Sequence, residues 1–101
     1  MSRNKLFYSD YVKHMMRFYS RSMDISVFKS SIDKFNWRIC QSTLDKYPSH
    51  RDMLLDIYSG YGTLEEEVNK ASLKYKVEKK RIWDLMKKFE RDLAINRGLL
   101  E

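Results

Sequence analysis

The near absence of helix-breaking residues constrains the fold of this chain more than any other feature of its sequence. The 101 residues include one Pro and three Gly, and the apolar residues recur at intervals of three and four, the period of an α-helix. Strands would instead show apolar residues at alternate positions. The sequence therefore predicts an all-α fold, a single domain over residues 1–101 with about five helices. The N-terminal helices occupy residues 1–48, and the remaining helices residues 49–98.

Two periodic stretches in the N-terminal half predict two helices. The first covers residues 4–19 and is followed by a loop over residues 20–24. The second begins near Ile25 and ends near Tyr47, because the residue before a proline avoids helical angles; Asn36 is a candidate break within it. We interpret the aromatic residues of both helices as core, although aromatics interleaved with bases also suit single-stranded nucleic acid. These aromatic residues are Tyr8, Tyr11, Phe18, Tyr19, Phe28 and Phe35.

Cap patterns and periodicity predict three further helices in the C-terminal half. Ser49 is the expected N-cap of a short third helix. Thr63, with Glu66 three residues later, forms a capping-box pattern that predicts the start of the fourth helix. A turn over residues 74–77 leads into a long fifth helix with Gly98 at its C-cap. The apolar faces of the fourth and fifth helices are marked by Leu64, Val68, Ala71, Tyr75, Ile82, Leu85, Met86, Phe89 and Leu93.

Charge is distributed unevenly along the chain. The net charge of +6 and the pI near 9.5 favour polyanionic partners. Residues 52–67 hold five acids and no base, whereas residues 70–91 hold nine bases and three acids. The run Glu65, Glu66 and Glu67 fits the positive N-terminal end of the fourth helix, and a surface for a basic partner is the alternative. The basic charge is thus concentrated on the turn and the fifth helix.

The spacing of small and apolar residues around this turn is typical of a helix-turn-helix. Ser72 is the expected small residue where the two helices cross, and Val77 follows it by five residues. Ile82 comes five residues after Val77, and Leu85 three residues after that. The stretch over residues 51–93 resembles the region 4 helix-turn-helix of sigma-70-type factors. It is also similar to the small phage late-transcription regulators of the ArpU and RinA kind.

The resemblance implies a small phage- or prophage-type transcriptional regulator that reads duplex DNA with its fifth helix in the host cytoplasm. Lys79 and Lys80 would neutralise phosphates, and Arg81 would bind a guanine with its guanidinium fork. Lys87 and Lys88 would contact backbone only. The residues placed at the DNA are Lys76, Glu78, Lys79, Lys80, Arg81, Asp84, Lys87 and Lys88. RNA polymerase or another host protein would contact a different face.

The sequence offers no pattern that suggests an enzyme, a cofactor or a metal. His14 and His50 lack the Cys or His partners that zinc needs at short spacing. Cys40 falls among helical apolar positions and is expected to pack as a small hydrophobic residue. Charged residues interrupt every apolar stretch, so we expect no membrane-spanning helix.

An alternative function remains open on these observations. The chain is then a non-enzymatic helical protein-binding module, such as a phage-encoded inhibitor of a host nucleic-acid enzyme. Trp83 lies at the edge of the apolar face of the fifth helix, where we expect a core or domain-packing role, core above all, rather than stacking on a base. A homodimer is favoured if aromatic residues of the first helix prove to be exposed.

Overall fold

The structure, a computed structural model, describes residues 8–21 and 30–99 and contains five α-helices in these ranges. The helices are α1 (Ser9–Arg21), α2 (Ser31–Leu44), α3 (Arg51–Ser59), α4 (Leu64–Tyr75) and α5 (Lys79–Arg97). The all-α prediction is confirmed. None of the described helices has the length and apolar character needed to cross a membrane.

The end of α1 differs from the prediction. Ser20 and Arg21 continue the helix, so the predicted loop over residues 20–24 is wrong at these two positions. The reason is tertiary, because the Arg21 guanidinium donates to the backbone oxygen of Gly60 at 2.7 Å and to that of Ser59 at 3.4 Å. The last turn of α1 is thereby fixed to the end of α3. The predicted start of the first helix and the rest of this loop lie outside the described residues. The second helix, predicted from near Ile25, is wrong at Ser30, which is extended (φ −79°, ψ 141°) and accepts from the Ile32 and Asp33 N–H groups as the N-cap of α2.

Helix α2 runs through Asn36 without the break that the sequence allowed. Asparagine interrupts helices when its side chain competes for backbone hydrogen bonds. Here the Asn36 amide donates to the Tyr11 hydroxyl at 3.1 Å and accepts from the Arg97 Nε at 2.6 Å, so it is occupied elsewhere. The helix ends at Leu44, earlier than the predicted end near Tyr47.

The predicted N-cap of the third helix is wrong by one residue. His50 occupies the N-cap position of α3, and its side chain makes no capping hydrogen bond. The chain turns over residues 47–50, where the His50 N–H donates to the Tyr47 oxygen at 3.1 Å. This turn delays the start of the helix, and Ser49 remains outside it.

All five helices contribute to one core. Helix α1 packs against α2, α3 and α5, and α2 also packs against α5. Ile82 and Val68 are fully buried as expected, while Leu85 and Tyr75 pack at the edge of the core. The hydrophobic core residues are Tyr8, Val12, Met15, Met16, Tyr19, Cys40, Leu44, Tyr47, Met53, Leu54, Ile57, Tyr58, Val68, Ala71, Ile82, Met86, Phe89, Leu93 and Ala94.

Only part of the aromatic set interpreted as core is buried. Tyr8 and Tyr19 are buried, whereas Tyr11, Phe18 and Phe35 are 37%, 43% and 45% exposed. Phe28 lies outside the described residues. An exposed aromatic surface of this kind favours a homodimer, which stays a prediction.

The capping box at the start of α4 is confirmed. The Glu66 N–H donates to the Thr63 hydroxyl oxygen at 3.1 Å, and the Thr63 N–H donates to the Glu66 carboxylate at 2.9 Å. The two bonds satisfy backbone donors that a helix start otherwise leaves unpaired. The predicted C-cap of α5 is also present, with Gly98 in the left-handed conformation at φ 88°.

Replacement of Thr63 by Ala is expected to lower the free energy of unfolding by about 1 kcal/mol, because one N-terminal donor of α4 loses its acceptor. Urea denaturation of both proteins measures the difference. Thr63→Ser is the matched control, since it retains the hydroxyl and should stay close to the parent. An unchanged midpoint for Thr63→Ala would contradict a stabilising role for the cap.

Candidate nucleic-acid interface

A three-residue turn, Lys76 to Glu78, joins α4 to α5 and is held by Ser72. The Ser72 hydroxyl donates to the Val77 oxygen at 2.7 Å, and the Ser72 backbone oxygen accepts from the Lys76 and Val77 N–H groups. Lys76 adopts the left-handed conformation at φ 57°, which Gly adopts with less steric strain than other residues. Glu78 is the N-cap of α5 and makes no side-chain capping bond. The hydrogen bonds thus fix the direction in which α5 leaves the turn.

The Ser72 hydroxyl holds the turn, a role that the spacing pattern did not predict. The Ser72 side chain is only partly buried and belongs to the turn. The small residue that α4 buries in the core is Ala71, which is 4% exposed. The two residues are adjacent, so the spacing pattern alone could not assign the roles.

Helix α5 separates apolar and charged residues onto opposite faces. Ile82, Met86, Phe89 and Leu93 are buried, at the spacing of three and four residues that brings side chains to one face. The eight residues predicted at the DNA all lie outside the core and are exposed; they are Lys76, Glu78, Lys79, Lys80, Arg81, Asp84, Lys87 and Lys88. The structure therefore leaves all eight exposed on the turn and on α5, where Lys79 and Arg81, two residues apart, point to different sides of the helix.

The acids of the basic segment differ in how they affect the charge of this surface. The Lys80 ammonium lies 3.4 Å from the Asp84 carboxylate, with 86% and 62% of the two side chains exposed. Such exposed pairs contribute only about 0.3 to 0.5 kcal/mol, so Lys80 can exchange Asp84 for a phosphate at little cost. The third acid of the basic segment, Glu90, is 6% exposed and faces the interior. The solvent-facing charge is therefore more positive than the sequence count indicates.

Depressions lie on both flanks of α5. On one flank, a depression of about 550 Å³ lies between α5 and α3. It is lined by His50, Met53, Val77, Arg81, Asp84, Leu85 and Lys88. On the other flank, a depression of about 260 Å³ lies between α5 and α1. It is lined by Ser9, Lys13, Trp83, Met86, Lys87 and Glu90.

Trp83 forms part of the second depression and is 38% exposed, so the prediction that it lies in the core is wrong. It follows Ile82 by one residue and so lies 100° further round α5. It lines this depression together with Ser9 and Lys13 of α1 and with Lys87.

Three of the five acids in residues 52–67 make contacts within the molecule, namely Asp56, Glu66 and Glu67. The Glu67 carboxylate accepts from the Gly62 N–H at 3.1 Å, and Asp56 accepts from the Lys74 ammonium at 2.8 Å and from the Tyr75 hydroxyl. Burial opposes ionisation of Asp56, but the bonds from Lys74 and Tyr75 and the Lys74 charge lower its pKa overall. These contacts connect α3, α4 and the loop between them. They favour the structural interpretation of the acids over a surface for a basic partner.

Cys40, the single cysteine, packs in the core as expected and is fully buried. Burial raises the pKa of its thiol to about 12, so it remains protonated at neutral pH. In the described ranges, no group of three or more His, Cys, Asp or Glu side chains is arranged to hold a metal ion.

Comparison of the chain with protein-family models, curated proteins and solved structures found no match.

Proposed function

We propose that the chain is a small DNA-binding regulator that inserts α5 into the major groove of duplex DNA, as the resemblance to sigma region 4 implies. The observation that carries the proposal is the exposed basic face at the start of α5, directly after a hydrogen-bonded three-residue turn. An α-helix with its side chains is about 10–12 Å across, and the major groove of B-DNA is about 12 Å wide. The face is therefore of a size and charge that suit the groove.

Individual residues have distinct roles in this proposal. Lys79 and Lys80 neutralise phosphates, which supplies affinity without sequence preference. Arg81, one residue further along α5, carries the donor fork that matches the two acceptors of guanine. Asp84 holds Lys80 in the free protein and can accept from cytosine once Lys80 turns to a phosphate. Affinity and specificity are thus assigned to neighbouring positions of one helix.

The proposal predicts two classes of variant. Lys79→Ala and Lys80→Ala should weaken binding to all duplexes and reduce the slope of log affinity against log salt by about one unit per lost contact. Arg81→Ala should instead cost about 1 to 3 kcal/mol at one base position and leave nonspecific affinity nearly unchanged. Titration against a selected duplex and a random duplex at two salt concentrations measures both effects.

Arg38→Ala is the control for these variants, because Arg38 is exposed on α2 and its loss removes the same charge. It should leave both the salt slope and the base preference close to those of the parent. A parent protein without duplex affinity at low salt would contradict the proposal. Equal effects of Arg38→Ala and Lys79→Ala would contradict the assignment to α5.

One further observation favours the alternative of a protein-binding module. Beside the exposed rings of α1 and α2, Ile32 is 60% exposed, although it lies on the apolar side of its helical pattern. An exposed apolar surface of this kind suits contact with another protein. RNA polymerase, a host enzyme and a second copy of the chain are the candidate partners. If the parent fails to bind duplex DNA, this surface becomes the leading functional site.

A further inference from the structure

The depression between α5 and α3 continues into a second depression, which is not lined by α5 alone. A neighbouring depression of about 320 Å³ shares His50, Leu85 and Lys88 with it and extends along the loop after α2. Because the two share three lining residues, they form one groove, here called the α3-side groove. It adds Lys46, Tyr47, Pro48, Ser49 and Asp92 to the lining. The depression beside α1 is called the α1-side groove.

The charge available in the α3-side groove is positive. Lys46, Arg81 and Lys88 line it, and each is exposed. Both carboxylates of its lining are engaged, since Asp84 pairs with Lys80 and Asp92 accepts from the Tyr47 hydroxyl. Apolar side chains form much of the remaining wall. The groove thus combines an apolar surface with exposed cationic side chains, of which the Lys88 ammonium lies 6.0 Å from the centre of the Tyr47 ring.

The α1-side groove is also positive, but through a different residue. Its Lys13 donates to Glu90 at 3.0 Å, so these two opposite charges compensate each other. Lys87 is exposed and makes no ion pair in the described part of the chain. Lys87 is therefore the ammonium group left for a ligand on this flank.

The two grooves lie on opposite sides of the exposed face of α5, here called the ridge. Consecutive residues of an α-helix are 100° apart, so Lys87 and Lys88 diverge to different flanks. Lys80, Asp84 and Arg91 lie on the ridge between them. A helix in the major groove has one sugar–phosphate strand on each side, and each groove of the protein offers a cation to such a strand.

We propose that the two grooves receive the two sugar–phosphate strands of the bound duplex, one against Lys46 and Lys88 and the other against Lys87. The proposal rests on the proposed function and assigns the phosphate contacts on each flank. It gives Lys46, which lies outside the α4–α5 pair, a direct role in binding. The loop after α2 thereby becomes part of the DNA-binding surface.

Replacement of single phosphates by neutral methylphosphonates tests the assignment strand by strand. The complete chain and its Lys46→Ala, Lys88→Ala and Lys87→Ala variants are titrated against duplexes with one modified phosphate each. Each variant should lose about one unit of salt slope. A methylphosphonate at the contacted phosphate should weaken DNA binding by the parent. It should not weaken further the binding of the variant that lacks the contacting lysine. The phosphates whose replacement has no further effect should lie on one strand for Lys46→Ala and Lys88→Ala, and on the opposite strand for Lys87→Ala.

Arg38→Ala should keep the full effect of every methylphosphonate. The proposal is overturned if Lys46→Ala behaves like Arg38→Ala, or if all three lysines match positions on the same strand. A parent that binds duplex DNA with the expected Lys79 and Lys80 effects, but with no Lys46 effect, rejects this proposal and leaves the proposed function standing. A parent with no duplex affinity rejects both.

Discussion

Replacement of Glu90 by Ala is expected to lower the free energy of unfolding by about 2 to 3 kcal/mol, because it leaves the buried Tyr58 hydroxyl without its acceptor. The Glu90 carboxylate accepts from the Tyr58 hydroxyl at 2.6 Å, from the Lys13 ammonium at 3.0 Å and from the Ser9 hydroxyl at 3.4 Å. These bonds form a network that joins α1, α3 and α5. Without Glu90, the hydroxyl of fully buried Tyr58 and the half-buried Lys13 lose their common partner. Urea denaturation measures the loss.

Two variants separate this network from general effects of substitution. Arg91→Ala changes the exposed neighbour of Glu90 and should stay within about 0.5 kcal/mol of the parent. Glu90→Gln keeps an oxygen that can accept from Tyr58 but removes the charge opposite Lys13, so it should fall between the other two. A loss for Glu90→Ala no larger than that for Arg91→Ala would show that the network does not stabilise the fold.

The same network matters for the proposed DNA contacts. Glu90 lies on the side of α5 that faces α1, so its bonds fix the rotation of α5 about its own axis. This rotation decides that Lys80 and Asp84 face solvent while Ile82 and Met86 face the core. The buried carboxylate therefore acts on the candidate interface through the position of the helix.

A loss of stability of about 3 kcal/mol between pH 8 and pH 11 is expected from Cys40 alone. Burial raises the pKa of its thiol from 9.0 to about 12 in the folded protein. Above about pH 9 the unfolded chain releases this proton while the folded chain retains it. The unfolded state is thereby favoured as the pH rises, until the folded pKa is reached. Urea denaturation midpoints at several alkaline pH values follow the decline.

Cys40→Ala isolates the thiol from the tyrosines. Burial and the Glu90 carboxylate raise the pKa of Tyr58, and burial and Asp92 raise that of Tyr47, so both also weaken the fold above about pH 10. The variant retains these tyrosines and should show a shallower decline, starting from a lower stability at pH 8. Parallel declines for the parent and Cys40→Ala would contradict the contribution of the thiol.

Local patterns in the sequence determined most of the helices and the face of α5. The capping box at Thr63 was predictable because both partners lie within four residues. The burial of Ile82 followed from its spacing to Leu85 and Phe89. These features depend on neighbours along the chain. The exposure of the basic residues on α5 was therefore predictable as well.

Tertiary packing decided which charges face solvent and where the grooves lie. Glu90 is one acid among many in the sequence, and its partners Lys13 and Tyr58 precede it by 77 and 32 residues. Lys46 reaches the flank of α5 only because α2 and α5 pack together, and no local pattern records this. Trp83 is 38% exposed beside Ser9 and Lys13 of α1, which its position in the helical pattern did not predict. Periodicity identifies the buried face of a helix, but the arrangement of the neighbouring helices determines what its flanks contact.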